Sequence, residues 1–74
     1  MIDKQVFLTQ LDELLELTPG SLKGQEKLDN LAAWDSLAVI GFIALVDENY
    51  GINVSPAGIR AAKTIDDLFA LLKA

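Results

Sequence analysis

Cysteine and histidine are both absent from the 74 residues of this chain. Without cysteine there is no disulfide, no thiolate nucleophile and no zinc–thiolate site, and the compartment stays open on that count. Without histidine the commonest general base and the commonest transition-metal ligand are gone, and a Ser-His-Asp triad is impossible. Basic residues are scarce: six Lys and Arg against eleven Asp and Glu leave a net charge of −5. Such a chain repels nucleic-acid phosphates, and Lys23, Lys27, Arg60 and Lys63 are too few to build a surface for them. The charge suits a basic patch on a partner protein instead. Long apolar runs are missing too. The uncharged apolar stretch Ser36 to Val46 falls short of the about 20 apolar residues of a membrane span. Met1-Ile2-Asp3-Lys4 is not followed by the apolar stretch of a signal peptide. The expected location is cytoplasmic.

What is present is apolar and helical. Hydrophobic residues make up 51% of the chain, enough for collapse rather than disorder. The length allows one small domain, residues 1–74, which buries about 60% of its unfolded surface and has no room for a deep enclosed active site. Phe7, Leu11, Leu14 and Leu15 form one helical stripe, predicting a first helix from about Asp3 to Leu17. Asp3 serves as its N-cap, and Asp12, Glu13 and Glu16 fall off the stripe into solvent. Thr18-Pro19-Gly20 stops the helix. A long connection, roughly Thr18 to Asp35, follows, with Leu22, Leu28 and Leu31 expected to pin it to the core. The second helix runs from Asp35 or Ser36 to Tyr50, capped by Asp35 and stopped by Gly51. Ser55-Pro56 opens a short helix to about Ala62, and Thr64-x-x-Asp67 reads as a capping box for a last helix near Ile65. The predicted fold is all-α: three main helices and one short one, with a long loop between the first and second.

The second helix is the unusual element. Every residue from Leu37 to Val46 is apolar or glycine, and a helix apolar all round must be buried all round or form an interface. Counting about 100° per residue groups Val39, Phe42, Ile43, Val46 and Tyr50 on a core face, Phe42 and Tyr50 being core residues rather than ligand contacts. Leu37, Ile40, Gly41, Ala44 and Glu48 then point outward. Two readings follow: the stripe faces solvent or a partner, or the long loop folds back over it. Gly41 either admits another backbone or is merely tolerated, at about 1 kcal/mol relative to Ala. Ser36 stands at the helix start, where free N–H groups and the positive dipole end favour an anion such as a phosphodiester. No base is at hand to activate it, so any covalent chemistry is done to it by another protein. The plain alternative is an ordinary helix-start serine. Trp34 either packs the loop onto the bundle or meets a partner. Without His or Cys, no side chains converge as a convincing enzyme site, so the chain is expected not to be an enzyme.

Trp34-Asp35-Ser36-Leu37 resembles the prosthetic-group site of acyl carrier proteins and related carrier domains. The surrounding register supports the likeness. An apolar helix follows the serine and ends at Asp47-Glu48-Asn49-Tyr50-Gly51, Ile52-x-Val54 fills the link, Thr64-Ile65-x-Asp67-Leu68 resembles the last helix start, and Leu28-x-x-Leu31 sits at the loop anchors. The resemblance spans about Asp3 to Leu72. It implies that Ser36 carries 4′-phosphopantetheine, derived from coenzyme A, as a phosphodiester, with acyl groups held as thioesters on its terminal thiol. It implies that Asp35 caps the helix and contacts the phosphopantetheinyl transferase through its magnesium. Leu37, Ile40, Gly41, Ala44, Asp47 and Glu48 match partner-docking positions, and Leu28, Val46, Ile59, Ala62 and Leu68 match the acyl pocket. The implied partners are the transferase, an acyl-loading ligase or transferase, and condensing or acyl-transfer enzymes, met by a monomeric carrier. Ala38 and Gly41 stand where fatty-acid carriers have acids, and Ala57-Gly58-Ile59-Arg60 replaces an acidic third helix. Docking is therefore expected to rest more on apolar contact than on charge. The Trp before Asp-Ser-Leu is more familiar in specialised stand-alone, D-alanyl and peptidyl carriers. A specialised lipid- or polyketide-type pathway is favoured, with aminoacyl cargo as the alternative. From another class, a helical interaction module without a prosthetic group competes.

Overall fold

In the computed structural model, which describes residues 2–72, four α-helices follow one another: α1 (Lys4–Leu14), α2 (Ser36–Tyr50), α3 (Pro56–Ala61) and α4 (Ile65–Leu71). One 3-10 turn, Leu28–Asn30, lies in the long connection between α1 and α2. The all-α architecture with three longer helices and one short one is the one the periodicity predicts.

Each helix starts where a side-chain oxygen takes up free N–H groups. Asp3 accepts from Gln5 and Val6 at 2.8 and 3.3 Å. Asp35 accepts from Ala38 at 2.9 Å. Ser55 accepts from Gly58 at 3.0 Å, with Pro56 at the first helical position. Thr64 and Asp67 form the expected reciprocal capping box. Gly51 ends α2 at φ 65°, a left-handed conformation glycine adopts without a Cβ penalty.

The end of α1 differs from expectation. The helix stops at Leu14, three residues short of Leu17. Glu16 takes φ 58°; its N–H donates to the Glu13 carbonyl at 3.2 Å and that of Leu17 to the Asp12 carbonyl at 2.7 Å. These two bonds make a Schellman turn, with a glutamate in the position glycine usually holds. Asp12, expected in solvent, is 1% exposed. Its two oxygens accept the N–H groups of Gly20 and Leu22 at 2.9 and 3.2 Å, so the carboxylate supplies partners that the returning loop lacks. A buried charge is tolerable there because it is hydrogen-bonded.

The rest of the loop is held by pairing along the α3–α4 link. The Leu28 N–H donates to the Lys63 carbonyl at 2.9 Å, and the Ile65 and Asp66 N–H groups donate to the Glu26 and Gly24 carbonyls at 3.1 and 2.8 Å. Lys27 and Thr64 form an isolated antiparallel bridge. The Glu26 carboxylate accepts from Lys23 and Gly24, both at 2.8 Å. Leu22 and Leu28 are buried, and Leu31 packs against the core, as expected.

The core centres on Phe7. Its ring meets Phe42 edge-on at 6.2 Å and Phe69 at 5.2 Å. Leu8, Leu11 and Leu15 from α1, Ile59 from α3, and Ile65, Leu68 and Leu72 from the α4 end complete it. From α2 it takes Ala38, Phe42 and Val46, while Val39, Ile43 and Tyr50 are only half-buried. The helix is thus turned from the expected face. A helix apolar all round carries no phase in its own pattern, so packing sets its rotation. No helix among the described residues is long and apolar enough to cross a membrane.

Candidate functional site

Ser36 is the first residue of α2 and is exposed. Three features hold it there. The Asp35 side chain caps the helix through Oδ1, and the Asp35 carbonyl accepts the Val39 N–H at 3.0 Å. The Trp34 N–H donates to the Leu31 carbonyl at 3.0 Å. The Trp34 ring packs edge-on to Phe42 at 5.8 Å and is half-buried. Trp34 therefore anchors the approach to the serine through the core. Among the described residues nothing hydrogen-bonds the Ser36 hydroxyl, which leaves it open to an incoming group.

The N-terminus of α2 faces the same space. The Asp35 cap takes the Ala38 N–H, and the Ser36 and Leu37 N–H groups at the positive end of this 15-residue helix stay beside the Ser36 hydroxyl, which suits a phosphodiester there. The exposed hydroxyl and these N–H groups fit the attachment of 4′-phosphopantetheine through its phosphate. Among the described residues no three His, Asp or Glu side chains converge to hold a metal ion.

Beyond the serine, α2 presents an open apolar surface. Leu37 is 77% exposed and Ile40 64%. Ala44, Asp47 and Glu48 are exposed as well. The loop does not cover these five positions. Gly41 is different. It is half-buried, and a Cβ placed there would stand 2.7 Å from Leu14 Cδ1. Its lack of a side chain admits α1, so the outward orientation expected of it is corrected: Gly41 belongs to the helix–helix contact. Tyr50 donates to Gln10 Oε1 at 2.5 Å and ties the far end of α2 to α1.

Leu28, Val46, Ile59 and Leu68 come together in the core, all between 0 and 4% exposed, with half-buried Ala62 packed against them. A chain reaching these four has to open the packing. Ala62 also borders a polar groove of about 620 Å3, beside Lys27, Arg60, Lys63 and Asp67. Leu28, Val46, Ile59 and Leu68 do not line that groove.

Two features lay outside the sequence reading. Asp12 is one, since the donors it satisfies lie eight and ten residues along the chain. The other is a crevice of about 250 Å3 between the end of α1 and the start of α2, which reaches Asp35 and Leu37 on either side of Ser36. The early stop of α1 and the left-handed turn at Glu16 form one wall of it. Glutamate gives no local signal for that turn, whereas glycine does.

No family model, no curated protein and no solved structure matches this chain.

Proposed function

We propose that this chain is a discrete acyl carrier protein. Ser36 bears 4′-phosphopantetheine, and acyl groups ride on it as thioesters between partner enzymes of a fatty-acid-like or specialised lipid- or polyketide-type pathway. The observation that carries the reading is the placement of Ser36: exposed, its hydroxyl without a hydrogen bond among the described residues, at the capped N-terminus of a helix whose next outward residues, Leu37 and Ile40, are bare. When bound, the arm supplies the thiol that the chain lacks. The protein's own residues orient it. Asp35 and Trp34 fix where the helix begins, the Ser36 and Leu37 N–H groups meet the phosphate, and the Leu37–Ile40 surface receives the enzymes in turn. The chain is a substrate and carrier, not a catalyst. D-alanyl or peptidyl cargo is the alternative within this reading.

The bare Leu37–Ile40 surface also supports a second reading, a helical interaction module with no prosthetic group. Incubation with coenzyme A, magnesium and a broad-specificity phosphopantetheinyl transferase separates the two. A carrier gains one phosphopantetheine, and an interaction module gains none.

A further inference from the structure

Residues 23–30 of the long connection form a strap with bonds of its own. The Glu26 carboxylate accepts the Lys23 and Gly24 N–H groups, and the Asn30 N–H donates to the Lys27 carbonyl at 3.0 Å. Both ends of the strap are fixed from outside it. On one side the buried Asp12 carboxylate holds the Gly20 and Leu22 N–H groups. On the other, Leu31 packs against the core and the Trp34 ring meets Phe42.

The middle of the strap is held less firmly. Three backbone bonds clasp it to the α3–α4 link: the Leu28 N–H donates to Lys63, that of Ile65 to Glu26 and that of Asp66 to Gly24. Gly24 seats against the Asp66 carboxylate, where a Cβ would collide. Leu28 is the strap's single apolar side chain and is buried. Lys27 and Asp29 on either side of it are exposed and border the polar groove of about 620 Å3, together with Ala62, Lys63 and Thr64 of the link. The joint between α1 and α2 is stronger, with the Phe7–Phe42 ring contact, Leu14 against Gly41, and Tyr50 bonded to Gln10. A segment with one apolar anchor and few backbone bonds opens at lower free energy than packed helices.

We infer that residues 23–30 are a flap, hinged at both ends, that opens as one unit while α1 and α2 stay folded, and that its opening joins the polar groove to the core at the place Leu28 leaves. The space released lies among Val46, Ile59 and Leu68, so the ligand it suits is an aliphatic chain. The use of that space for cargo rests on the carrier reading, whereas the opening itself does not.

The test is native-state hydrogen exchange of the whole unmodified chain, labelled with 15N, in urea below its unfolding transition. Ile65 and Asp66 are the first residues of α4, so their N–H groups have no partner inside the helix and report the clasp. The Leu28, Ile65 and Asp66 amides are expected to share one protection factor, at least about tenfold below that of Phe42 and Val46 within α2, and nearly independent of urea. A second measurement follows the side chain. The chain has no cysteine, so Leu28→Cys and Val46→Cys each carry a single thiol. Iodoacetamide is expected to label the thiol of Leu28→Cys at least about tenfold faster than that of Val46→Cys under native conditions. The exchange measurement on the parent stands whether or not either variant folds. Clasp amides that exchange only together with Phe42 and Val46, clasp amides with unrelated protection factors, or equal labelling of the two thiols in folded variants would each overturn the inference. Both measurements use the chain without an arm, so their outcome separates from any result on Ser36 attachment.

Discussion

Leu14 of α1 and Gly41 of α2 meet so closely that a methyl group on Gly41 would stand 2.7 Å from Leu14 Cδ1. The contact sets how near the two helices approach, and it takes Gly41 off the open face of α2. The obstructing atom is the tip of a half-buried, flexible side chain, so it yields to a methyl group. Gly41→Ala also gains about 1 kcal/mol of helix propensity. Gly41→Ala is therefore expected to lie within about 1 kcal/mol of the parent in urea unfolding. Gly41→Phe overpacks the contact and loses about 2 kcal/mol or more. Equal stability for the Phe variant would place Gly41 back on the open face.

Asp12 is a stability residue disguised as a surface charge. Removing it strips the partners from the Gly20 and Leu22 N–H groups, the second of them buried. Asp12→Ala is expected to cost about 3 kcal/mol, from two charge-assisted bonds lost and donors left unsatisfied. Chemical denaturation of the variant measures this directly. A loss below about 0.5 kcal/mol, the range of an ordinary surface change, contradicts it.

Glu16 holds a left-handed backbone without the freedom of glycine. Glu16→Gly relieves that conformation and is expected to raise stability by about 1 kcal/mol, despite the added entropy of the unfolded chain. Thermal unfolding of the two proteins side by side reads the difference. A drop in midpoint contradicts the Schellman assignment.

These residues show where the sequence speaks and where it does not. Asp3, Asp35, Ser55-Pro56, Gly51 and the Thr64–Asp67 pair were all legible, because capping is local chemistry decided within a few residues. The outward placement of Leu37, Ile40, Ala44 and Glu48 was legible as one of two readings, the other being a loop folded over them, and the structure leaves them exposed. Asp12 was not legible, since its partners come from a loop whose path is set by tertiary pairing. The pairing of residues 24–28 with 63–66 escaped for the same reason: neither segment has strand periodicity. The rotation of α2 escaped because its continuous apolar run does not distinguish Ala38 from Val39 as the buried position.

Acid should loosen that same loop. Burial pushes the Glu26 carboxyl up, but the N–H groups of Lys23, Glu26 and Gly24, with the Lys23 charge, outweigh it and hold the group below its ordinary 4.5. A carboxyl depressed on folding stabilises the fold above its unfolded pKa and loses that contribution as pH falls through the folded value. Stability should therefore decline as pH drops below about 4.5. Glu26→Gln should lose about 1 kcal/mol at neutral pH and show a shallower acid decline. Parallel acid titrations of stability test this, and identical slopes for parent and variant contradict it.

The central claim rests on Ser36, and intact-protein mass with site mapping tests it most directly. The folded chain is incubated with coenzyme A, magnesium and a broad-specificity phosphopantetheinyl transferase, beside a folded Ser36→Ala variant. The account predicts one added phosphopantetheine on the parent, mapped to Ser36, and none on the variant. An unmodified parent across several transferases, or a variant that still accepts the arm, would contradict it.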